Sequence, residues 1–111
     1  MLGTTRNVSA YVCTEPTDMR RGFNGLWALA RDVLGQDVLS GHMFLFVSRD
    51  LKRAKVLMWD GTGLVLYSKR LEQGRFSWPK GEGASVTWRG ERLSALLNGL
   101  EVREKDGWYR R

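Results

Sequence analysis

Two apolar segments joined by a glycine-rich turn constrain the fold more than any other part of this sequence. Residues 54–59 and 64–69 have the composition of β-strands, and residues 60–63 between them (Asp-Gly-Thr-Gly) are typical of a hairpin turn. If Trp59 pairs with Leu64, both faces of the hairpin carry large apolar side chains. We therefore expect this hairpin to lie in the centre of a sheet that is covered on both sides.

The first half of the chain contains two more strand-like segments and one helical segment. Residues 8–13 are rich in β-branched and aromatic side chains, and the apolar run 43–47 has the length of a buried strand. A helix is predicted after Pro16, with Thr17 or Asp18 as its cap and Gly35 at its end. Its apolar stripe, with a period of about 3.6 residues, consists of Phe23, Leu26, Trp27, Ala30, Val33 and Leu34.

The last third of the chain carries weaker signals. Residues 84–88 favour a short strand, and a second, short helix is predicted from the leucines at positions 93, 96, 97 and 100. The tail 101–111 is polar, and we expect it to hold a small turn at Asp106-Gly107 or no fixed structure.

Length and composition favour one soluble domain, 1–111, with its core at about residues 8–100. We expect an α+β fold: an antiparallel sheet of about four to five strands, one longer helix in the N-terminal half and one short C-terminal helix. The chain has no apolar run near the ~20 residues of a membrane span and no signal segment, so the expected location is the cytoplasm. A lone cysteine, Cys13, excludes an internal disulfide and any multi-cysteine metal site.

Positive charge is concentrated in one segment of the sequence. The formal net charge is +6, and residues 49–80 contain eight basic and three acidic side chains. Such a surface suits nucleic acid or an acidic partner. The alternative is that these charges only keep a β-rich domain soluble. Phe76, Trp78 and Trp59 could stack on bases if exposed, or they could belong to the core.

Arg20 and Arg21 stand at the predicted start of the first helix, where the helix dipole disfavours cations. One reading is an anion-binding site at the helix start. The other is an ion pair between one of these arginines and Asp18 or Glu15.

The side chains needed for catalysis are scarce. Cys13 lies in an apolar strand and His42 at a strand entrance, so no nucleophile with a base and an orienting group can be assembled. Asp60 is the best single candidate for a metal-dependent nuclease, but no second or third carboxylate joins it, and a turn-forming role is the alternative. We therefore predict that the protein is not an enzyme and needs no cofactor.

Several motifs along the chain match one protein family. The first is residues 16–23 (Pro-Thr-Asp-Met-Arg-Arg-Gly-Phe), followed by Gly25-Leu26. The later ones are residues 40–46, 55–61, 67–72, 74–79 and 96–100. In order and spacing, residues 8–100 resemble the small TnpB-type accessory proteins of insertion-sequence family sixty-six, which the second open reading frame of those elements encodes. The sequence departs from that pattern at Arg89, where the family usually has Ser or Thr, and beyond Leu100.

The resemblance implies a role in DNA transposition beside a separate, larger transposase, and it supplies no catalytic residues. The leading hypothesis is a non-catalytic accessory protein that binds DNA through the basic hairpin region and is nucleoid-associated when bound. The alternative is an adapter that assembles the transposase with other accessory proteins and never touches DNA. The candidate DNA-binding residues, chosen by charge and motif, are Arg20, Arg21, Lys52, Arg53, Lys55, Lys69, Arg70 and Arg75.

Overall fold

The computed structural model describes residues 9–81, 83–88, 92, 101–103 and 107–109. The chain forms seven strands, one α-helix and one short 3-10 helix within these residues. In chain order they are β1 (Ala10–Cys13), α1 (Phe23–Asp32), the 3-10 helix (Val38–Ser40), β2 (Met43–Val47), β3 (Arg53–Trp59), β4 (Leu64–Arg70), β5 (Ser85–Trp88), β6 (Glu101–Arg103) and β7 (Gly107–Tyr109).

Five strands form one mixed sheet in the order β4-β3-β2-β1-β5. Strands β1 and β2 are parallel, and the other three pairs are antiparallel. The prediction of an α+β fold is confirmed, but the prediction of a purely antiparallel sheet is wrong. The physical reason is the connection: the segment that contains α1 returns the chain to the end of the sheet where β1 began, so that β2 runs in the same direction as β1.

The core lies on both faces of this sheet. On one face, Leu26 and Ala30 of α1 pack in the same cluster as Phe44, Phe46 and Leu57. The opposite face carries two smaller clusters, which are built around Val12, Leu45 and Val56 and around Val47, Ala54 and Phe76. The irregular segment that contains Phe76 therefore covers this opposite face around Val47 and Ala54.

The hairpin of β3 and β4 has the predicted register but not the predicted position. Trp59 pairs with Leu64 as expected. However, β4 is an edge strand, and Val65 and Tyr67 on it are 41% and 47% exposed. The expectation of a central hairpin covered on both sides is wrong for β4, because only β3 has a strand on each side.

The first helix begins later than predicted. Its N-cap is Gly22, in an extended conformation, and the helix starts at Phe23 rather than near Thr17 or Asp18. The Asp18 carboxylate instead accepts a hydrogen bond from the Arg20 backbone N–H at 2.9 Å. The apolar stripe is also narrower than expected, since Phe23 and Val33 are about half exposed.

The C-terminal predictions have mixed outcomes. The strand expected at residues 84–88 is observed as β5. The short helix predicted around residues 93–100 lies outside the described residues. Within the polar tail, β6 and β7 form a separate antiparallel pair, with Glu101 opposite Tyr109.

Candidate nucleic-acid interface

The topology gathers three loops at one end of the sheet. Strands β1, β2 and β4 all finish there, and β3 and β5 begin there, as their pairing registers require. The loops are residues 14–22, 48–52 and 71–84. The first loop is tied to the end of β2 by a hydrogen bond from the Thr17 backbone N–H to the Val47 carbonyl, at 2.7 Å, and the other two are joined by a bond from the Phe76 N–H to the Leu51 carbonyl, also at 2.7 Å. We call these loops, with the adjoining strand residues 53–55 and 69–70, the basic end.

The basic end contains ten basic and four acidic side chains among its described residues. The basic residues are Arg20, Arg21, Arg49, Lys52, Arg53, Lys55, Lys69, Arg70, Arg75 and Lys80, and the acidic ones are Glu15, Asp18, Asp50 and Glu72. The excess charge that the sequence places in one segment is therefore concentrated in space as well, and Arg20 and Arg21 join it from a distant part of the chain.

One cross-strand pair makes this concentration energetically unfavourable for the sheet. Arg53 on β3 lies directly opposite Arg70 on β4. Like charges at directly opposed positions of an antiparallel pair destabilise it. An anion bound between the two guanidinium groups would offset that repulsion.

Two neighbouring depressions open on the basic end. The first, of about 680 Å³, is lined by residues 16–20, by residues 48–50 and by Arg53. The second, of about 540 Å³, is lined by Met19, Arg53, Lys55, residues 68–70 and Glu72. Met19 and Arg53 line both, so the Arg53 side chain stands where the two depressions meet.

Lys55 fixes the Arg20-Arg21 segment against the sheet. Its ammonium group donates to the Met19 carbonyl at 2.8 Å and to the Arg21 carbonyl at 2.9 Å. Gly25 leaves room for the Arg21 side chain beside α1, because a Cβ at Gly25 would lie 3.2 Å from the Arg21 Cβ. Lys55 thus adds positive charge to the second depression and also holds the loop that borders the first.

The ion-pair interpretation of Arg20 is confirmed. Arg20 Nη2 lies 2.7 Å from Asp18 Oδ2, and both side chains are exposed. The Arg20 guanidinium holds the pKa of the Asp18 carboxyl far below its usual range, through its hydrogen bonds first. Both arginines precede α1 instead of starting it, so neither occupies the first helical turn.

The turn between β2 and β3 is held by a carboxylate. Asp50 Oδ1 accepts hydrogen bonds from the Ser48 hydroxyl at 2.7 Å and from the Lys52 backbone N–H at 3.1 Å. The Ser48 hydroxyl oxygen accepts in turn from the Arg53 backbone N–H at 3.0 Å. These bonds, that of the Ser48 hydroxyl first, lower the pKa of Asp50.

Leu51, in the same turn, has a backbone conformation that leucine rarely adopts, with φ at 64°. The left-handed region costs an L-residue about 1–2 kcal/mol. Leu51 remains there because its N–H donates to the Ser48 carbonyl and its own carbonyl accepts from the Phe76 N–H. Its side chain also packs beside the cluster of Val47, Ala54 and Phe76. The surrounding contacts therefore impose this turn geometry.

The remaining candidate residues divide into two groups. Lys69 and Arg70 on β4 line the second depression, and Arg70 forms an exposed ion pair with Glu72 at 3.2 Å. Lys52 and Arg75 are exposed at the same end of the sheet, but they line neither depression.

Sequence reasoning did not include Arg49, Ser48 and Asp50 among the site residues. Arg49 lines the first depression, and the other two hold its turn. The available signal was their position between the apolar run 43–47 and the basic pair Lys52-Arg53, since a turn there must bring Arg49 close to Arg53.

The three aromatic residues considered for base stacking belong mainly to the core. Phe76 is 1% exposed. The Trp78 indole N–H donates to the Cys13 carbonyl at 2.8 Å, and Trp59 packs partly buried against the α1 cluster. Of the two alternatives for these rings, base stacking or core packing, the structure supports core packing for Phe76, because its ring is fully buried.

The residues considered for chemistry have structural roles. Cys13 is buried, and burial raises the pKa of its thiol. His42 Nδ1 accepts a hydrogen bond from the Ser9 backbone N–H at 3.0 Å. Asp60 accepts from the backbone N–H groups of Thr62 and Gly63, which confirms it as a turn former. Across the described part of the chain, no cluster of three His, Cys, Asp or Glu side chains could hold a metal ion.

Within the described ranges, no helix combines the length and the apolar character that crossing a bilayer requires.

Comparisons with known proteins point to one family. The family model for IS66 Orf2-like proteins matches residues 8–107. Two curated relatives come from Sinorhizobium fredii (strain NBRC 101917 / NGR234). The uncharacterized protein y4hO is 38% identical over 99% of this chain and 96% of its own length. The uncharacterized protein y4jC is 37% identical over 91% of this chain and 86% of its own length. No solved structure gives a significant match.

Proposed function

The chain belongs to the IS66 Orf2-like family, and from this membership and the basic end we propose that it is a non-catalytic accessory protein of insertion-sequence transposition that binds DNA directly. Family membership supports the transposition role. The charge and shape of the basic end support direct contact with DNA.

The proposal of DNA binding rests on the clustering of basic side chains around Arg53. Of the eight candidate residues, five line the two depressions that meet there: Arg20, Arg53, Lys55, Lys69 and Arg70. A nucleic-acid backbone presents phosphates that cations neutralise with release of counterions, so such a surface binds DNA with an affinity that falls steeply as salt rises.

The chemistry of the site favours backbone contacts over base contacts. Lysine and arginine side chains that bind phosphates position a protein on DNA without reading its sequence. The rings nearest to these cations are occupied in packing, as Phe76 and Trp78 show. We therefore expect the accessory protein to contribute affinity that depends little on sequence, and the transposase to supply specificity.

The proposal is tested by fluorescence anisotropy of the protein with labelled duplexes across a range of salt. One duplex carries the terminal inverted repeat of the element and the other a scrambled sequence. We expect equal, steeply salt-dependent binding to both. Preference for the repeat would contradict the backbone-only reading, and no binding to either at low salt would remove DNA binding from the proposal.

A matched pair of variants locates the interface. Arg70 at the basic end and Arg31 at the end of α1 are 64% and 63% exposed, and each is paired with a neighbouring carboxylate. Arg70→Gln is expected to weaken binding to both duplexes equally and to reduce the salt slope by about 1. Arg31→Gln removes the same charge and is expected to leave both quantities nearly unchanged. Equal effects of the two variants would point to net charge instead of a defined site.

A second candidate function, the adapter, is favoured by one observation on β4. Val65 and Tyr67 are exposed on the same face of this edge strand. Apolar and aromatic side chains of this kind anchor protein interfaces, and the transposase of the element is the proposed partner. Co-purification with the transposase from a nuclease-treated lysate tests it. Val65→Ser should reduce capture, whereas Val33→Ser, at a comparably exposed valine on the helix, should not.

A further inference from the structure

Asp50 carries a charge that is unfavourable for phosphate binding at the basic end. It is an acidic residue between Arg49 and Arg53, on the wall of the first depression. A carboxylate at this position lowers the positive potential that would attract phosphate. Its hydrogen bonds to the Ser48 hydroxyl and the Lys52 backbone N–H indicate a different contribution, which is the shape of the turn.

The turn leaves little conformational freedom to the residues that carry the charge. The backbone of Arg53 is fixed by the bond from its N–H to the Ser48 hydroxyl and by the bond from the Ser48 N–H to its carbonyl. Leu51 is held in its left-handed conformation by bonds to Ser48 and Phe76. An arginine on a mobile loop would lose conformational entropy when it bound a phosphate, whereas an arginine on an ordered turn loses less.

We propose that the β2–β3 turn is a pre-organised phosphate-binding element in which Asp50 acts as a positioning residue, strengthening the binding of DNA by Arg49 and Arg53 despite its own negative charge. The ligand is the phosphodiester backbone, whose phosphates the two depressions on either side of Arg53 would receive. This inference rests on the proposed function, since it specifies how the same surface binds.

Two variants at one position separate the geometric effect from the electrostatic effect. Asp50→Asn and Asp50→Ala raise the net charge equally. Asn keeps an oxygen that can accept from Ser48 and Lys52, and Ala does not. Electrostatics alone predicts that both variants bind a scrambled duplex more tightly than the wild type.

We expect Asp50→Asn to bind at least as tightly as the wild type. We expect Asp50→Ala to bind several-fold more weakly, with a salt slope smaller by about 0.9 for each phosphate contact that is lost. The slope is the decisive quantity, because a smaller folded fraction lowers the apparent affinity without changing the number of phosphates contacted. Any result in which Asp50→Ala binds as tightly as Asp50→Asn overturns the proposal.

Two further variants serve as controls for folding and for charge. Ser48→Ala removes the hydroxyl that bridges Asp50 and Arg53 without changing charge, so it should also weaken binding and flatten the slope; wild-type binding by this variant contradicts the proposal even if Asp50→Ala does not fold. Asp60→Ala breaks a similar carboxylate-held turn at the opposite end and should not weaken binding.

The failure of this inference is distinguishable from the failure of DNA binding itself. A wild-type protein that does not bind duplex DNA at low salt overturns both. Binding by the wild type and by all three turn variants with the same affinity and slope overturns only the role of the turn.

Discussion

The two ends of the β3–β4 hairpin are built from the same strands but have opposite character. At one end Trp59 lies opposite Leu64, and both side chains pack against the helix cluster. At the other end Arg53 lies opposite Arg70. The first pair is what a sheet needs for stability, whereas the second opposes it. Two cations at this position are what the proposed binding of phosphate would require.

The two turns that flank β3 show the same contrast. Asp60 at the far end and Asp50 at the basic end both hold a turn with a carboxylate that accepts backbone N–H groups. Asp60 and its turn residues include no basic side chain, whereas Asp50 lies between Arg49 and Lys52 in sequence. The same kind of carboxylate-held turn thus closes the β3–β4 hairpin at Asp60 and places basic side chains on both sides of Asp50.

Removal of the Phe76 ring, which packs at the basic end, should have the largest effect on stability. Phe76 is fully buried, and its backbone N–H donates to Leu51. Phe76→Ala should lower the free energy of unfolding by about 3–5 kcal/mol, because it leaves a cavity beside Val47 and Ala54. Urea unfolding measures this loss. Phe23→Ala, at a half-exposed phenylalanine on α1, should cost about 1 kcal/mol or less.

Lys55 links β3 to the loop 14–22, so its removal should have the next largest effect on stability. Lys55→Met keeps much of the apolar stem but removes the donor for the carbonyls of Met19 and Arg21. We expect a loss of about 1.5–3 kcal/mol in the free energy of unfolding, measured by thermal or urea unfolding. Lys52→Met removes the same charge from an exposed position and should change stability by about 0.5 kcal/mol or less. Equal losses in both variants would contradict the anchoring role of Lys55.

Charge reversal at Arg53 should separate stability from binding. Arg53→Glu places a carboxylate opposite Arg70, so the free energy of unfolding should stay the same or rise by about 0.2–1 kcal/mol. DNA affinity should fall by about tenfold or more, because a like charge now faces the phosphates. Arg31→Glu is the matched reversal on α1 and should change DNA affinity by about twofold or less. A parallel loss of stability and binding at Arg53 would mean that the fold needs this arginine.

The elements that were predicted well are those that local patterns determine. The apolar run at residues 43–47 coincides with β2, and the turn at Asp60 set the register of Trp59 with Leu64. Both follow from side-chain alternation and turn chemistry within a few residues. The parallel pairing of β1 with β2 and the edge position of β4 depend on contacts between distant segments, and no local pattern encodes them.

The candidate site shows the same limit. Charge and motif identified Arg53, Lys69 and Arg70, which the structure brings to one depression. They also identified Lys52 and Arg75, which line neither depression, because charge alone does not tell on which side of a turn a side chain lies. The hydrogen bonds of Asp50 could not be predicted, since they depend on the geometry of a turn around a left-handed leucine.

The smallest expected effect concerns acid stability at the far end, where Asp60 holds its turn without neighbouring cations in that turn. Hydrogen bonds from the Thr62 backbone N–H, the Thr62 hydroxyl and the Gly63 N–H lower the pKa of Asp60 below its ordinary value of 3.8. A lowered folded-state pKa means that the unfolded chain binds more protons, so this contribution is complete above about pH 3.8 and is lost as the pH falls through the folded-state pKa. Asp60→Asn keeps an acceptor oxygen but does not titrate, and it should reduce the dependence of the unfolding free energy on pH in that window.

Urea unfolding at about pH 5 and about pH 3 measures this difference. An unchanged pH dependence in the variant would show that the carboxylate charge adds nothing to the turn beyond the geometry of its oxygen, and Asp50→Asn then tests whether the same holds at the basic end.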